Sequence, residues 1–301
     1  MTVSPGDEGR HQPDGDDLWN ESWYFDFTTP DGALGGYVRL GLYPNLGAAW
    51  YWACVVGDGR PLVTVIEHEA PIPRSGLEVR ADGLWCDHTC ETPFEHWTVG
   101  LEAFAVALDD PTEVYRSGAG DRTALGFDLE WEIDGGVYPY PGVTRYEVPC
   151  RVHGDVLVGT ETIAFDGHGQ RDHSWGRRDW WSFPWCWTAG RLDDGTVFHA
   201  SRPLIEGVRY EPGYTGRAGG DELTPVDGFE PTEQLGPEGL PTAAEMKLGP
   251  LDLSVEPRWF APVRLDAPDG RVSRFPRARC RFTEADGRTG HGWTEWNQPQ
   301  G

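Results

Sequence analysis

Residues 171–181, with the sequence RDHSWGRRDWW, concentrate ionisable and aromatic side chains in a short segment. Asp172 is adjacent to His173, and a carboxylate beside an imidazole can supply an acid near neutral pH when burial or a neighbouring charge shifts their pKa values. Arg171 and Arg178 are close enough in sequence to tune that protonation. We therefore predict that these four residues are catalytic and that Asp172 and His173 form the acid pair.

The same charges also fit a structural role. Asp179 with Arg177 and Arg178 can form an ion-pair network at a packed corner, because buried charges are usually paired for structural reasons. A solvated turn is disfavoured, since the segment also holds three tryptophans, which are costly to leave in water. Two interpretations remain open: a structural corner, and an acid that reaches into an aromatic cavity.

Tryptophan is abundant, with 15 residues in the chain. Trp50 and Trp52 are two positions apart, as are Trp185 and Trp187, so each pair projects onto one face of a strand. Core filling explains most tryptophans of a β protein. If the shared face lines a cavity, the rings suit a large apolar ligand and stabilise a positive charge on it. The predicted substrate-binding residues are Trp50, Trp52, Trp175, Trp181, Trp185 and Trp187.

Other chemical motifs are weak or missing. Cys86, His88 and Cys90 alternate in WCDHTCE and would share a strand face, where a fourth ligand such as His96 would complete a zinc site. Because zinc sites usually show paired motifs, we predict no metal and no other cofactor, and keep a zinc enzyme as an alternative. Ser174 does not lie in a G-x-S-x-G nucleophile elbow. Nucleotide-dependent chemistry is not expected, since the sequence has no Walker loop and no G-x-G-x-x-G between a strand and a helix.

Composition restricts the partners and the compartment. Asp and Glu number 49 against 25 Lys and Arg, and the net charge of -24 would repel nucleic acid and anionic lipid. No apolar run approaches the ~18 residues of a membrane span, and MTVSPGDEGRHQPDGDD has none of the features of a secretory signal. The six cysteines lack a framework spacing, which fits a reducing compartment. We expect a cytoplasmic protein whose partner is an apolar small molecule; the oligomeric state stays open.

Short alternating segments between 40 glycines and 25 prolines are typical of an antiparallel β protein. In ALGFDLEWEI, apolar residues from Leu125 to Trp131 alternate with glycine and acid, which predicts one buried and one exposed face. The predicted strands are 37–43, 50–56, 62–68, 97–108, 124–133, 155–165, 185–192, 196–202, 251–260, 273–285 and 291–297.

Helix content should be low, with candidates only at 172–181 and 241–248. The Gly-, Pro- and acid-rich stretch 217–242 is predicted to be a long surface loop or lid. Residues 21–44 resemble residues 182–204, since each has an aromatic strand, an Asp-Gly turn and an alternating strand. This repeat, about half the chain apart, predicts two similar β domains, 1–180 and 181–301.

The block GHGQRDHSWGRRDWWSFPWCW resembles the lipocalin-like carotenoid 1,2-hydratase (hydroxyneurosporene synthase) superfamily. The resemblance rests on D-H-x-W-G, which is Asp172, His173, Trp175 and Gly176 here, and on the aromatic strand that follows. It implies an all-β fold of two tandem lipocalin-like antiparallel barrels or sandwiches with little helix. The group also contains phytoalexin hydratases of plant pathogens and cyclases that shape polyene substrates.

The resemblance implies a cofactor-independent lyase or isomerase. A hydratase of this kind protonates an alkene and lets water add, whereas a cyclase lets an internal group add, and both need an acid in an oily pocket. We expect acid-assisted hydration or cyclisation of a terpenoid, steroid-like or polyketide substrate in an aromatic cavity between two barrels. The alternative is a non-catalytic carrier of an apolar metabolite, because such folds host unrelated activities.

Overall fold

The computed structural model describes residues 2–300, which form antiparallel β-structure with three short 3₁₀ turns, Pro5–Glu8, Pro111–Tyr115 and Pro237–Gly239. The strands of the first half are β1 Trp19–Thr28, β2 Leu34–Tyr43, β3 Ala48–Gly57, β4 Leu62–Ala70, β5 Val79–Ala81, β6 Leu84–Thr92, β7 His96–Leu108, β8 Asp121–Ile133, β9 Tyr138–Pro139, β10 Arg145–Val158 and β11 Glu161–Arg177. Those of the second half are β12 Trp185–Leu192, β13 Thr196–Pro203, β14 Gly213–Arg217, β15 Leu223–Pro225, β16 Phe229–Leu235, β17 Pro241–Leu248, β18 Leu251–Phe260, β19 Val263–Asp266, β20 Val272–Phe275, β21 Arg277–Glu284 and β22 Thr289–Gln300.

The first sheet closes on itself. Its strands follow the order β4-β3-β2-β1-β11-β10-β8-β7, and β7 also pairs with β4. The result is an eight-stranded antiparallel barrel, a size that side chains can fill. Phe27, Leu129 and Trp131 are fully buried in its interior. Strands β5 and β6 extend the sheet beyond β7, and β9 pairs with β10.

The second sheet has the order β15-β14-β13-β12-β22-β21-β18-β17-β16, and β20 joins β19 to β22. It encloses its own core, in which Phe198, Met246 and Phe282 are buried. Its other face packs on the barrel through a cluster that includes Trp52, Trp187 and Trp293. We call this contact between barrel and second sheet the seam.

The seam explains why β1 is buried along all ten residues. Successive side chains of a strand point to opposite faces. Trp23 and Phe25 therefore lie in the barrel interior, while Tyr24 lies in the seam. Because the second sheet covers the outer face of the barrel here, both faces of the strand are removed from water.

The predicted fold class is confirmed, and the alternation in ALGFDLEWEI is as expected: Leu125, Phe127, Leu129 and Trp131 are buried while Asp128 is exposed. Segment 155–165 is not one strand. It spans the hairpin between β10 and β11, where Gly159 has a φ of 62° that favours glycine.

Both helix predictions are wrong. The first falls largely in β11 and the second is β17, in which Ala244, Met246 and Leu248 alternate with exposed residues and so have the period of a strand. The predicted loop 217–242 contains β15 and β16. In these two strands Phe229 is the only fully buried residue, so the sequence shows little of the alternation that predicts a strand.

The two segments of the proposed repeat occupy equivalent places. The hairpins β1–β2 and β12–β13 each begin with a strand that pairs with the last strand of its sheet, β11 or β22. Gly32 and Gly195 in their turns both have positive φ. The chain passes from one sheet to the other between Arg177 and Trp185, and the division into domains at residue 180 stays a prediction. Among residues 2–300, no helix is long and apolar enough to cross a membrane.

Candidate functional site

Strand β11 separates the two residues that were predicted to act as a pair. His173 lies on the barrel side, where its ring stacks on Trp23 at 4.5 Å between ring centroids. Asp172 lies on the seam side, where it binds Arg145. Because neighbouring residues of a strand project to opposite faces, Asp172 and His173 do not form an acid pair in this structure.

Arg171 also lies on the barrel side and anchors the N-terminal turn. Its Nη2 donates to Glu8 Oε1 at 2.8 Å, and Trp97 Nε1 donates to Glu8 Oε2 at 3.0 Å. Burial alone would raise the pKa of Glu8, but the charge and hydrogen bonds of Arg171 outweigh it and the pKa is lowered. Arg171 and Glu8 thus form a buried ion pair, in which the role of Arg171 is structural.

His173 belongs to a hydrogen-bonded cluster with Glu21 and His11. Glu21 Oε1 lies 2.9 Å from His173 Nε2 and 2.7 Å from His11 Nδ1. Within residues 2–300 this is the one group of three potential metal ligands with ligand atoms within 4.8 Å of one another. Two imidazoles and a carboxylate suit zinc. However, the remaining ring nitrogens already contact Asp7 and Tyr146, so no unpartnered atom points to an ion.

Cys86 and His88 are buried on the barrel side of β6, and Cys90 is half-buried. In the described part of the chain their ligand atoms do not form a potential metal group, and His96 instead contacts Glu130 at 2.8 Å. Both ring nitrogens of His88 are buried without a partner. Burial lowers the pKa of His88 to about 3, so it is a neutral core residue at neutral pH.

A cleft of about 840 Å³ opens at one end of the seam. Its polar surface includes Tyr140, Arg145, Ser174 and Arg178, which come from β10, β11 and the segments that flank them. Its larger apolar surface comes mainly from aromatic side chains. These are Phe183, Trp185 and Tyr210, with Val143 at the exposed rim. Trp175 also borders the cleft, but its ring stacks on His11 at 3.7 Å on the barrel side.

Asp172 lies beneath this surface. Its Oδ2 accepts a hydrogen bond from Arg145 Nη2 at 2.8 Å, and Arg145 Nε donates to Glu147 at 2.8 Å. Burial raises the pKa of Asp172 to about 6, although the Arg145 guanidinium opposes the shift. A carboxyl group that changes its protonation near neutral pH is suited to move protons.

Arg178 faces the cleft without a carboxylate partner. Its Nη2 donates to Ser174 Oγ at 3.1 Å, and within residues 2–300 no carboxylate oxygen lies within 4.0 Å of its guanidinium. Burial and the charges of Arg145 and Arg39 lower its pKa to about 10, so it stays charged at neutral pH. Arg178 is therefore free to bind an oxygen atom of a ligand.

Tyr140 in the cleft wall is hydrogen-bonded to a buried histidine. His199 Nδ1 lies 2.9 Å from the Thr188 carbonyl oxygen and must donate to it, so His199 Nε2 accepts from the Tyr140 hydroxyl at 2.7 Å. Burial holds the pKa of His199 well below its usual value, which keeps the ring neutral. This assignment leaves Tyr140 as a fixed phenol beside Arg145.

The predicted tryptophans divide between the cleft and the core. Trp175 and Trp185 line the cleft, whereas Trp50, Trp52, Trp181 and Trp187 are buried in the seam. Trp187 Nε1 donates to Glu147 at 3.1 Å, and Trp181 Nε1 donates to the Leu265 carbonyl oxygen at 2.9 Å. These four tryptophans are therefore buried in the seam and do not line the cleft.

The structural interpretation of the segment holds for its most exposed charges. Arg177 lies 3.0 Å from Asp16 and 3.7 Å from Asp179, and Asp179 also pairs with Arg271. Arg178 takes no part in this network. The segment thus contains a surface ion-pair corner and, on its seam face, the floor of the cleft.

Sequence reasoning missed Tyr140, Arg145, Glu147 and His199. In RYEVPC, Arg145 and Glu147 alternate with buried Tyr146 and Val148, a pattern typical of a strand with a solvated outer face. The second sheet covers that face instead. These charges are buried only because the second sheet covers them. The local sequence holds no information about where the second sheet lies.

Residues 4–300 match the sequence model of a family described as "Domain of unknown function (DUF7064)". The chain belongs to this family. A search of curated proteins gives no match.

Several solved structures share the architecture of this DUF7064 protein. An AttH-type protein from Nitrosomonas europaea is 17% identical, with a TM-score of 0.65 over 98% of this chain and 96% of that one. Kievitone hydratase from Nectria haematococca is 11% identical, with a TM-score of 0.62 over 94% and 90% of the two chains. CghA is 13% identical, with a TM-score of 0.55 over 94% and 88%. The likeness confirms the fold that the sequence resemblance predicted.

Proposed function

We propose that the protein is a cofactor-independent lyase or isomerase that hydrates or cyclises a large apolar substrate in the seam cleft. The observation that carries the proposal is a buried carboxyl, Asp172, with its pKa raised to about 6 beneath an aromatic cleft of about 840 Å³. Titratable groups perturbed in this way are concentrated at functional sites. Kievitone hydratase, whose name states a hydration reaction, shares the fold and so supports the choice of reaction class.

The charges around Asp172 favour a substrate that carries an oxygen atom. Arg39, Arg145 and Arg178 all act on the Asp172 carboxyl, and the carboxylates of Glu147 and Glu295 oppose them. The carbocation that protonation of an alkene would form is destabilised beside the guanidinium groups of Arg145 and Arg178 in the cleft wall. A carbonyl oxygen that gains negative charge during the reaction would be stabilised by these two groups. Among the three expected substrate classes, this favours a polyketide-like molecule with an alkene conjugated to a carbonyl group.

The proposed reaction is an addition to that alkene. Arg145 and Arg178 donate hydrogen bonds to the carbonyl oxygen, and the oxygen of water, or of an internal hydroxyl group, forms a bond to the far alkene carbon. The alkene electron pair moves toward the carbonyl oxygen. Asp172, as the carboxylate, accepts the proton of the nucleophile and then returns it to the carbon next to the carbonyl, so no proton or electron is gained or lost overall.

The test is turnover of a panel of polyketide-like enones, terpenoids, steroids and kievitone, followed by mass spectrometry. We expect a product that has gained one water or is an isomer of its substrate. Asp172→Asn should lower kcat by roughly 10²-fold or more. Arg178→Gln should lower kcat and also raise KM, because it removes a donor to the carbonyl oxygen that gains negative charge in the reaction. Arg151→Gln, which removes an exposed guanidinium on β10, is the matched control. Full activity of Asp172→Asn would refute the assignment.

His173 provides a second control. Because it faces the barrel interior and not the cleft, His173→Gln should keep most of the turnover if the folded state is retained. A loss equal to that of Asp172→Asn, in a protein with an unchanged circular dichroism spectrum, would restore the acid pair that the sequence predicted.

The second candidate function is a carrier of an apolar metabolite, and the apolar wall of the cleft formed by Phe183, Trp185 and Tyr210 favours it. A carrier would return the ligand with unchanged mass and unchanged chromatographic retention. Binding measured by quenching of tryptophan fluorescence would then survive Asp172→Asn but weaken in Trp185→Ala.

A further inference from the structure

A second cavity, of about 560 Å³, lies at the opposite end of the seam from the cleft. It is formed where the β1–β2 turn meets the end of β18, the middle of β21 and the start of β22. Three arginines and one histidine line it, opposite two aspartates. In a protein with a net charge of -24, such a concentration of guanidinium groups is unusual.

Arg279 forms the floor of this cavity and is only 2% exposed. Its Nη1 donates to the Cys280 carbonyl oxygen at 3.3 Å and lies 2.7 Å from His291 Nδ1, while its Nε is buried without a partner. The guanidinium stacks over Trp259 at 4.2 Å. Within residues 2–300, no carboxylate oxygen lies within 4.0 Å of the Arg279 guanidinium. A buried cation without an anionic partner is costly.

The groups in contact with Arg279 do not neutralise its charge, and the Asp31 and Glu256 carboxylates act on it only from beyond 4.0 Å. Burial and the charges of Arg279 and Arg281 lower the pKa of His291 to about 4, so its ring is neutral and accepts from Arg279. Arg281 is exposed at the cavity mouth and has no carboxylate partner among the described residues. Arg258 also lines the cavity and pairs with Glu256 at 2.8 Å.

The turn beside the cavity is held in a fixed conformation. Asp31 accepts from Thr29 Oγ1 at 2.6 Å and from the Ala33 amide at 2.9 Å, so its carboxylate serves the turn and is not within salt-bridge distance of Arg279. Gly32 has a φ of 67°, and a Cβ atom there would lie 2.5 Å from His291 Nδ1 and 2.6 Å from Arg279. Only glycine lets the turn approach the cavity floor this closely.

We propose that this cavity is a binding site for the phosphate group of a small metabolite, with Arg279 at its floor and Arg281 and Arg258 at its mouth. Guanidinium groups bind phosphate with paired N–H donors, and Arg279 Nη2, which has no hydrogen-bond partner among residues 2–300 and is not fully buried, supplies one of them. A bound oxyanion would complete the coordination of the buried cation. The volume exceeds that of a phosphate ion and leaves room for an organic group. This site is separate from the cleft and does not depend on the proposed function.

The test is titration of the full chain with inorganic phosphate by isothermal calorimetry in a low-salt chloride buffer. We expect saturable binding at one site and a rise in Tm. Arg281→Gln should weaken binding by about 5-fold or more, because an exposed charge at the mouth is only partly screened. Arg122→Gln, which removes an exposed charge from β8 on the barrel, should leave the affinity unchanged.

Further titrations identify the source of the phosphate group. Glycerol 3-phosphate binding more tightly than inorganic phosphate supports a metabolite, and equal affinity supports the ion itself; both support the site. Arg279→Lys should weaken binding further than Arg281→Gln, and if it fails to fold, Arg258→Gln takes its place. Absence of saturable binding by any phosphate compound, or equal weakening by Arg122→Gln and Arg281→Gln, would overturn the proposal.

Discussion

Replacing Asp172 with asparagine should change how the stability of the protein depends on pH. The substitution keeps the size of the side chain and removes its titration. Asp172 has a pKa of about 6 in the folded protein, because it is buried, against an ordinary value of 3.8. The folded state therefore binds a proton more tightly than the unfolded state does. The stabilisation from this proton is complete below the ordinary pKa and is lost as the pH rises through about 6.

The magnitude follows from the two pKa values. The full difference between 3.8 and about 6 corresponds to roughly 3 kcal/mol of unfolding free energy. Only part of it is accessible, since acid precipitation near the pI of 4.6 must be avoided. Between about pH 5 and about pH 7.5, the folded carboxyl titrates while the unfolded one stays ionised, so the wild type should lose roughly 1 to 2 kcal/mol through this group.

Urea denaturation of wild type and Asp172→Asn at both pH values measures this quantity. The difference in unfolding free energy between wild type and variant should shift by roughly 1 to 2 kcal/mol, in favour of the variant at the higher pH. Asp166→Asn, on the same strand but exposed and paired only with Arg151, should show little shift. A difference for Asp172→Asn that is independent of pH would refute a raised pKa, and with it the proton-transfer role.

Three further substitutions test other parts of the structure. His88→Leu should stabilise the protein by about 1–2 kcal/mol at neutral pH, because it removes two unpartnered buried nitrogens. Since the pKa of His88 in the folded protein is about 3, the wild type should lose stability as the pH falls below 6.5, and the variant should lose less. Destabilisation by His88→Leu, together with zinc in the purified wild type, would support the zinc alternative. Trp187→Phe should lower Tm clearly, because Glu147 loses a buried donor, while Trp185→Phe at the cleft should leave it nearly unchanged; equal melting shifts would contradict this division. Glu8→Gln should cost roughly 3 kcal/mol in urea denaturation, since Arg171 keeps its charge without an anionic partner, and a cost no greater than that of Asp7→Asn would argue against a buried pair.

The strands were predictable where one face of the sheet is exposed. Leu125 to Trp131 in β8 show the alternation that such a face requires, and the structure has it. The same rule failed for β17, whose alternation in PTAAEMKL is carried by small residues and methionine, which are also common in helices. For short segments of this kind, pairing with β16 and β18 decides the conformation and local propensity does not.

The sequence pointed to a strand that borders the cleft, but not to the geometry of the cleft. The unusual composition of residues 171–181 pointed to a strand that borders a cleft: Trp175, Arg178 and Trp185 line the cleft, and Asp172 lies beneath it and binds Arg145. The pairing of Asp172 with His173 failed because sequence adjacency places two strand residues on opposite faces. Arg145 lies 27 positions earlier than Asp172 and becomes its partner through the pairing of β10 with β11. Such register is a long-range property that no local pattern contains.

The arrangement of charge in the seam bears on the choice between enzyme and carrier. A carrier of apolar molecules needs a dry aromatic wall, and the tryptophans of the seam could supply it without any ionised group. Instead, Asp172 and Glu147 are buried beneath the cleft and Arg145 and Arg178 form part of its wall, and for Asp172 and Arg178 the effect of burial on the pKa exceeds that of their partners. Hydrophobic side chains of similar size at these positions would often be at least as stable. A cluster that costs stability and lies against the cleft is accounted for by chemistry on a polar group of the substrate, which a carrier would not require.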